Sequence, residues 1–285
     1  MARKPLPLAG VAGWPVGHSL SPVMMNAWLE ASGLDGQYAA FAVAPDRFAD
    51  AIQALPALGI AGLNVTVPHK GFALEAATSA SEAARAIGAA NLLLTRDDGL
   101  FADNTDIVGI EAAIKAGGGA EASRPAVIVG AGGAARAAMF HVKQAGVSEV
   151  RVINRTVESA EALAQDFGVA ARAFPLDQAE TALEGAGLVI QSSVMGMQGR
   201  PDFAPDLSGL DGDALVFDMV YAPLVTPLLG SARDAGRRTA DGLSMLIGQA
   251  QPSFEAFFGA PPPEIDMRAI LLDALGQGPA KEAAR

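Results

Sequence analysis

Hydrophobic and polar residues alternate along the first part of the chain in a way that predicts strands and helices in turn. Apolar runs of strand length occur at residues 8–14, 38–43 and 61–67, and helix-length amphipathic segments separate them. This alternation predicts βαβ units and a parallel sheet. Ser21 and Pro22 have the form of an N-cap and a first helical position, and Gly33 suits the position after the helix end.

A further helix and a hairpin are predicted next. The segment from Ser79 to Glu82 has the spacing of a capping box, which predicts a helix start. Residues 91–104 are typical of a hairpin with Asp98-Gly99 at its turn. A helix over about residues 106–115 then ends in a triple glycine, which predicts a loop into a new unit. We therefore expect a domain boundary near residue 107.

The second half of the chain has a doubly wound pattern. Strands are predicted at residues 126–129, 149–153, 188–192 and 214–219, with helical segments between them. Two amphipathic helices without an intervening strand follow near the C-terminal end. These helices need a partner surface, and packing against the first domain is one solution. The predicted fold class is α/β with two domains, the second of them Rossmann-like.

Composition and charge restrict the classes of function. The 285 residues are enough for two domains with separate cores. The net charge of -11 argues against a nucleic-acid surface, because phosphate neutralisation needs clustered lysine and arginine. Neither a membrane-length apolar stretch nor the apolar segment of a signal peptide is present. We expect a cytoplasmic protein without nucleic-acid or membrane partners.

Metal and thiol chemistry are not expected from this sequence. Cysteine is absent, which removes disulfides, thiolate nucleophiles and cysteine-ligated metals. The three histidines, His18, His69 and His141, do not have the spacing of a paired metal site. We interpret His69 as a surface or interface residue and His18 as a turn residue.

A glycine-rich segment follows the predicted strand at residues 126–129 and opens a helix, which is the context of a dinucleotide-binding loop. Glycines allow a tight turn and a close backbone approach, while the helix N-terminus directs N–H groups at a pyrophosphate. A strand–helix turn without a ligand is the alternative. The residues of this loop are Gly130, Ala131, Gly132, Gly133 and Ala134.

The end of the next predicted strand indicates which dinucleotide binds. An NAD site usually has a carboxylate there for the ribose hydroxyls, but this chain has Asn154, Arg155 and Thr156. A guanidinium suits the 2′-phosphate of NADP through paired hydrogen bonds and through stacking on adenine. NADP is therefore the predicted cofactor, with an ordinary solvated arginine at a helix start as the alternative.

An enzyme that reduces a carbonyl with a nicotinamide must place a proton donor near the developing alkoxide. The tyrosine–lysine pair of short-chain reductases is missing after both Tyr38 and Tyr221, and zinc is disfavoured without cysteine. Lysine, aspartate or histidine remains. Lys70 follows the strand at residues 61–67, at the edge where open α/β sheets bind ligands. A surface lysine at a helix start is the alternative.

Eight motifs resemble those of the shikimate dehydrogenase family and occur in the family's order. They are GHSLSP, NVTVPHK, IGAAN, DNTD, GAGGAAR, NRT, MVYAPLVTPLL and GLSMLIGQA. The resemblance implies NADPH-dependent reduction of 3-dehydroshikimate to shikimate, a step of chorismate and aromatic amino acid synthesis. It also implies a substrate domain of residues 1–106 plus 242–285, and an NADP-binding Rossmann domain of residues 107–241. A monomer and a homodimer both stay open.

The same resemblance implies roles for individual residues. Lys70 would be the catalytic acid/base and Asp106 its partner at the reacting oxygen, although an N-cap is the alternative role for an aspartate near a helix start. The residues implied in substrate binding are Ser19, Ser21, Thr66, Asn91, Tyr221 and Gln249. The residues implied in cofactor binding are Glu82, Gly130, Ala131, Gly132, Gly133, Ala134, Asn154, Arg155, Thr156, Val157, Glu158, Ser159, Met219 and Gly242.

The sequence departs from the family pattern at three places. Met25-Asn26 stands where the family usually has His-Asn, and Asn91-Leu92 stands where it usually has Asn-Thr. Residues 191–197, QSSVMGM, replace a more usual Asn-Ala-Thr-Ser form. Two other functions therefore stay open: a family variant that acts on quinate or an aminoshikimate analogue, and a non-catalytic NADP-binding regulator.

Overall fold

The chain forms two compact units. A computed structural model describes residues 6–168 and 171–277. The first unit comprises Met1–Thr105 and Gln249–Arg285, and the second comprises Asp106–Gly248.

The divisions between the units follow Thr105 and Gly248, whereas the sequence predicted them after residues 106 and 241. Asp106 therefore belongs to the second unit, although it was predicted at the end of the first domain. Residues 1–5 and 278–285 of the predicted substrate domain lie outside the described residues.

The first unit contains a mixed sheet of six strands. The strands are β1 (Leu8–Gly13), β2 (Gln37–Ala42), β3 (Ile60–Val65), β4 (Ser79–Ala80), β5 (Leu92–Arg96) and β6 (Gly99–Asp103). The helices before residue 105 are α1 (Ser21–Ser32), α2 (Phe48–Gln53), α3 (Lys70–Ala76) and α4 (Glu82–Ile87). The strand order is β2-β1-β3-β5-β6-β4. The predicted parallel pairing holds for β2, β1 and β3, while the hairpin β5–β6 adds antiparallel strands.

The second unit contains a fully parallel sheet of six strands. The strands are β7 (Ala126–Val129), β8 (Val150–Ile153), β9 (Ala171–Phe174), β10 (Leu188–Gln191), β11 (Leu215–Asp218) and β12 (Arg238–Ala240). The helices are α5 (Asp106–Ala116), α6 (Gly133–Gln144), α7 (Val157–Phe167), α8 (Ala179–Leu183) and α9 (Pro227–Asp234). The order β12-β11-β10-β7-β8-β9 is the Rossmann strand order, with its reversal between β7 and β10. The predicted α/β class with a doubly wound second domain is confirmed.

Two helices complete the described chain, α10 (Gly242–Phe258) and α11 (Met267–Ala274). The division between the units falls inside α10. In the second unit, a Cβ on Gly248 would lie 2.7 Å from the Ala112 Cβ, so α10 approaches α5 at a distance that only glycine allows. In the first unit, the Phe254 ring of α10 packs edge-on against Trp28 of α1, with centroids 5.6 Å apart.

Two predicted helix starts were wrong. The helix α1 begins at Ser21 itself and Leu20 occupies the N-cap position, so Ser21 is not the cap. Ser79 pairs in β4, and Ser81 caps α4 by accepting a hydrogen bond from the Ala84 amide at 3.0 Å. Strand pairing of Ser79 thus moved the helix start by two residues, and the cap at Ser81 is a single side-chain bond rather than a capping box. The predicted end of α1 is confirmed, because Gly33 is left-handed with φ 64°.

The predicted hairpin is confirmed, but its turn is shifted by one residue. Arg96 pairs with Gly99, so the turn consists of Asp97 and Asp98, and Gly99 begins β6. The helix-length segment between the strand predictions at residues 38–43 and 61–67 forms a shorter helix than its length suggests, since a 3₁₀ turn at Pro45–Arg47 leads into the six-residue α2.

Candidate active site

The backbone around Lys70 is held from two sides. β3 ends at Val65, and the chain continues through Thr66, whose amide donates to the Ala12 carbonyl of β1 at 2.9 Å. The Lys70 carbonyl accepts from the Ala90 amide at 2.9 Å, so the first residue of α3 is tied to the segment before β5. The Lys70 side chain is half-buried at the carboxyl end of β3.

Close packing at the end of β1 fixes Thr66. A Cβ on Gly13 would lie 2.4 Å from the Thr66 Cγ2, so a side chain at Gly13 would displace this residue. Thr66 is half-buried, which leaves part of its surface accessible. The glycine of the β1 strand therefore sets the position of a predicted substrate residue.

His69 lies in the core and not at the surface. Its side chain is 0% exposed, and its ring stacks on Phe48 with centroids 4.3 Å apart and an interplanar angle of 9°. The Nε2 lies 2.8 Å from the Val43 carbonyl oxygen, an acceptor, so this nitrogen carries the proton. The prediction of a surface or interface histidine was wrong, because Phe48 provides an apolar surface that the sequence around His69 does not reveal. His69, which directly precedes Lys70, is therefore buried at the N-cap of α3.

Asn91 and Thr105 form a buried pair of side-chain and backbone hydrogen bonds. The Asn91 Nδ2 donates to the Thr105 Oγ1 at 3.0 Å, and the Thr105 amide donates to the Asn91 Oδ1 at 2.7 Å. Asn91 precedes β5, while Thr105 follows β6 and directly precedes Asp106. Asn91 and Asp106 are each 3% exposed. The pair therefore orients a predicted substrate residue and fixes the backbone that leads into a predicted catalytic residue.

The Asn91–Thr105 pair belongs to a larger set of buried hydrogen bonds, which we call the buried polar network. Its members are Tyr38, Asn64, Asn91, Thr105 and Ser253. Asn64 accepts from the Tyr38 hydroxyl at 2.8 Å and donates to the Ser253 Oγ at 2.9 Å. The Ser253 Oγ lies 3.5 Å from the Thr105 Oγ1. Burial raises the pKa of Tyr38 well above its usual value of 10, so its hydroxyl stays a donor.

Sequence reasoning missed Asn64, Thr105 and Ser253. Asn64 had a usable signal, because an amide inside an apolar strand must find a partner when it is buried. Thr105 stands inside the DNTD motif beside Asp106. No sequence feature marked Ser253 as buried and hydrogen-bonded. It follows Pro252 in an amphipathic pattern, and its partner Asn64 comes from a distant part of the chain.

The remaining predicted substrate residues lie on three elements. Ser21 is the first residue of α1 and is 7% exposed, and its amide donates to the Ser19 Oγ at 3.3 Å. Both serines therefore stand at a helix N-terminus, where anions are favoured. Gln249 is half-buried in α10 of the first unit. Tyr221 is half-buried after β11 and belongs to the second unit.

The glycine loop has the backbone geometry that a pyrophosphate needs. Gly130 follows β7 with φ 111°, a conformation that favours glycine, and a Cβ there would lie 3.0 Å from the Ser192 Oγ. Gly132 is the N-cap of α6, so no bulky side chain at this position covers the amides that open the helix. Ala131, Gly133 and Ala134 are half-buried in the same loop. These residues fit a bound diphosphate.

The segment after β8 presents an arginine to solvent. The Asn154 amide donates to the Phe174 carbonyl at 3.0 Å, and its side chain donates to the Thr156 carbonyl at 2.8 Å. Arg155 is exposed at the apex of this turn. None of the ion pairs within the described ranges includes Arg155. Val157 is the first residue of α7 and is half-buried. Glu158 and Ser159 follow on the first turn of this helix and are exposed.

Met219 and Gly242, two predicted cofactor positions, lie against each other in the second unit. A Cβ on Gly242 would lie 2.3 Å from the Met219 carbonyl oxygen, so α10 can begin here only with glycine. The Met219 amide donates to the Gln191 carbonyl at 2.9 Å, which fixes it between the ends of β10 and β11. Glu82 belongs instead to the first unit, where it is exposed at the start of α4.

The predicted cofactor residues of the second unit therefore follow the carboxyl ends of β7, β8, β11 and β12, which is the edge at which Rossmann sheets bind dinucleotides. In the described part of the chain, no group of three or more histidine, cysteine, aspartate or glutamate side chains is arranged to hold a metal ion. A search of the described helices finds none that is both long and apolar enough to span a membrane.

Three family models match the chain in succession. The shikimate dehydrogenase substrate binding domain matches residues 11–93, the shikimate / quinate 5-dehydrogenase model matches residues 112–197, and the shikimate 5′-dehydrogenase C-terminal domain matches residues 242–272. A shikimate dehydrogenase (NADP(+)) of Caulobacter vibrioides is 46% identical over 274 residues, which are 95% of this chain and 96% of that protein. The chain belongs to the shikimate dehydrogenase family.

Other members of the family support the same assignment. The shikimate dehydrogenase (NADP(+)) of Maricaulis maris is 43% identical over 270 residues, covering 94% of this chain and 96% of that protein. Shikimate 5-dehydrogenase of Thermus thermophilus, solved with NADP(H) and shikimate, has a TM-score of 0.83 at 34% identity, covering 94% of this chain and all of that one. Quinate dehydrogenase of Corynebacterium glutamicum, solved with NAD, has a TM-score of 0.84 at 31% identity. The match covers 94% of this chain and 99% of that one.

The departures from the shikimate dehydrogenase pattern fall on buried or hydrogen-bonded positions. Met25 is 0% exposed in α1 and Leu92 is 2% exposed in β5. The neighbouring Asn26 ties α1 to β2, because its Nδ2 donates to the Tyr38 carbonyl and its Oδ1 accepts from the Tyr38 amide. Ser192 donates to the Val129 carbonyl at 2.7 Å and so supports the glycine loop.

Asp218 is a buried carboxylate beside the cofactor edge that sequence reasoning missed. It is 0% exposed at the end of β11, directly before Met219. Its Oδ1 accepts from the Val220 amide at 2.9 Å, and its Oδ2 accepts from the Thr226 hydroxyl at 2.7 Å. Burial raises the pKa of Asp218 from 3.8 to about 6, against the opposing effect of these two hydrogen bonds.

The variant Asp218→Asn tests this buried charge through the pH dependence of stability. The folded-state pKa of about 6 lies above the unfolded value of 3.8, so the free energy of unfolding falls as the pH rises through this interval. Above about pH 6 the ionised Asp218 costs about 3 kcal/mol, which is the difference in pKa expressed as free energy. As the pH falls from about 7 to about 4, the native chain should gain free energy of unfolding relative to the variant. Urea unfolding of both proteins across this interval measures the difference. A difference that does not change with pH would contradict the raised pKa.

Proposed function

We propose that this protein catalyses the reversible, NADPH-dependent reduction of 3-dehydroshikimate to shikimate, in chorismate and aromatic amino acid synthesis. The observation that carries the proposal is the 46% identity to a shikimate dehydrogenase (NADP(+)) over 95% of the chain. The first unit would bind the substrate and the second unit NADP. The buried polar network in the first unit and the glycine loop in the second support this division.

Substrate recognition would use groups of different chemistry. Ser19 and Ser21, at the N-terminus of α1, suit the carboxylate of shikimate because hydroxyls and helix amides donate to an anion. Thr66, Asn91 and Gln249 offer hydroxyl and amide groups to the substrate hydroxyls. Tyr221 would contribute a further polar contact. The Asn91 amide is pre-oriented by Thr105, which reduces the entropy lost on binding.

Proton transfer would be the task of Lys70. When bound, NADPH supplies a hydride to the carbonyl carbon. The Lys70 ammonium donates a proton to the carbonyl oxygen as negative charge develops there, and in the reverse direction the neutral amine takes that proton from the hydroxyl. Asp106 would accept a hydrogen bond from the same hydroxyl and orient the ammonium. One hydride and one proton convert the ketone to the alcohol, so the reaction balances without a metal.

The cofactor would bind along the edge of the second sheet. The amides of the glycine loop, residues 130–134, suit the diphosphate, and Arg155 suits the 2′-phosphate, with the rest of residues 154–159 as its surroundings. Met219 and Gly242 would contact the nicotinamide side, and the family resemblance implies Glu82 as a further cofactor-binding residue. The solvent-exposed guanidinium of Arg155 favours NADP over NAD.

Quinate and an aminoshikimate analogue are the alternative substrates. Quinate is favoured by the fold similarity to the Corynebacterium glutamicum quinate dehydrogenase, at a TM-score of 0.84. A non-catalytic NADP-binding regulator is the alternative outside catalysis, and the presence of both Lys70 and Asp106 argues against it. The cytoplasmic location and the monomeric or homodimeric state stay predictions from the sequence.

The variant Lys70→Ala tests the proposed reaction and its acid/base. We expect the native chain to form NADPH from NADP and shikimate with a higher kcat/KM than from quinate. The variant should lose roughly a hundred- to ten-thousandfold in kcat, because it lacks the proton-transfer group. Lys115→Ala, an exposed lysine in the last turn of α5, is the matched control and should keep full activity. Absorbance of NADPH measures each rate.

Three outcomes of this experiment would contradict the proposal. An unchanged rate in Lys70→Ala would refute the acid/base role alone. A higher kcat/KM for quinate would replace the substrate. Inactivity of the native chain toward shikimate, quinate and the aminoshikimate analogue, together with tight NADPH binding, would favour the regulator.

The variant Arg155→Asp tests the choice of cofactor. Loss of hydrogen bonds to a charged phosphate, together with repulsion from the new carboxylate, should raise the KM for NADP by about tenfold to a hundredfold and leave the KM for NAD nearly unchanged. Steady-state kinetics with each cofactor at saturating shikimate measures the ratio. Arg233→Asp, an exposed arginine near the end of α9, is the control. Equal effects of Arg155→Asp on both cofactors would overturn the assignment.

A further inference from the structure

Ser253 is the point at which the buried polar network joins three parts of the first unit. Its side chain is 0% exposed in α10. The Oγ accepts from the Asn64 Nδ2 at 2.9 Å, donates to the Gln249 carbonyl at 3.2 Å and lies 3.5 Å from the Thr105 Oγ1. Strand β3, the segment after β6 and helix α10 therefore converge on one hydroxyl oxygen.

The hydrogen-bonding capacity of Ser253 is used within the protein. A serine hydroxyl has one donor and two acceptor positions. The Gln249 carbonyl takes the donor position and the Asn64 amide takes one acceptor position, and the Thr105 hydroxyl lies 3.5 Å from the same oxygen. A hydroxyl that is 0% exposed and bonded to protein groups in this way does not bind substrate itself. Its effect on a ligand must pass through the residues that it holds.

Each partner of Ser253 leads to a proposed substrate or catalytic residue. Thr105 holds both the Oδ1 and the Nδ2 of Asn91, and it directly precedes Asp106. Asn64 lies in β3, the strand that leads into Thr66. The Gln249 carbonyl belongs to the residue whose side chain is proposed to contact shikimate.

The helix α10 gives a further reason for the serine at this position. Pro252 lies inside the helix and has no N–H, so the regular hydrogen bond to the carbonyl of Gly248 cannot form. The turn that carries Gln249 is therefore less constrained by the helix itself. The bond from the Ser253 hydroxyl to the Gln249 carbonyl adds a second restraint to this turn.

We propose that Ser253 is a positioning residue for substrate binding: its hydroxyl orients the Asn91 amide through Thr105 and holds the turn that carries Gln249. This inference rests on the proposed function, because the orientation matters only if these groups bind shikimate. Removal of the hydroxyl leaves the Asn64 amide and the Thr105 hydroxyl with one partner fewer in a buried environment. The two side chains then rotate to recover hydrogen bonds, and Asn91 moves with Thr105.

The variant Ser253→Ala tests the proposal through the separation of KM from kcat. We expect the KM for shikimate to rise about tenfold, the loss of about one well-formed hydrogen bond in binding, while the KM for NADP stays unchanged. Tyr38→Phe removes only the donor at the far end of the network and keeps the ring in place. It should raise the KM for shikimate by a smaller factor, about two- to threefold.

Ser32→Ala is the matched control. Ser32 in α1 donates to the Trp28 carbonyl at 2.8 Å, which is the same bond to a residue one turn earlier, but it lies outside the buried polar network. This variant should leave both KM values unchanged. It thereby separates the loss of a helix-supporting serine bond from the loss of the network.

The outcomes distinguish this inference from the proposed function. Inactivity of the native chain toward shikimate would refute the proposed function and this inference with it. An active native chain whose KM for shikimate is unchanged in Ser253→Ala, with only the active fraction or the melting temperature lowered, would refute the positioning role alone. If Ser253→Ala does not fold, Tyr38→Phe decides: an unchanged KM for shikimate refutes the role, and a raised one supports it.

Discussion

Buried amides and hydroxyls must be hydrogen-bonded, and this requirement organises the first unit around the pair of Asn91 and Thr105. Both bonds of the pair are buried, at 3.0 and 2.7 Å, and they join the segment before β5 to the residue that precedes Asp106. Asn64 and Ser253 extend the pair to β3 and α10. A polar network that is fully satisfied in this way gives a single side-chain arrangement, which suits recognition of a hydroxylated ligand.

The second unit depends on close backbone approaches at two glycines. Gly130 adopts φ 111° beside Ser192, and Gly242 brings the start of α10 against the carbonyl of Met219. Both glycines stand at the carboxyl edge of the parallel sheet, and Gly130 follows β7, beside which the strand order reverses and dinucleotides bind. Asp218 supports this edge at a cost in stability, since a buried carboxylate is held by only one hydroxyl and one amide.

The sequence predicted those features that depend on local pattern. The α/β class, the β5–β6 hairpin and the glycine loop between β7 and α6 all follow from periodicity and turn residues within short windows. It failed where distant residues decide, because Ser79 pairs with β6 and His69 is buried against Phe48. Ser253 could not be found from sequence, since its role depends on Asn64 and Thr105, which are far from it along the chain.

A crystal structure of the protein with shikimate and NADP tests the central claim most directly, namely that the network holds the substrate-binding groups in advance. The account predicts that hydroxyls of shikimate lie within about 3 Å of the Asn91 amide and of the Lys70 Nζ. The two hydrogen bonds between Asn91 and Thr105 should persist in that complex. Shikimate bound without contact to Asn91, or an Asn91 amide rotated away from Thr105, would contradict it.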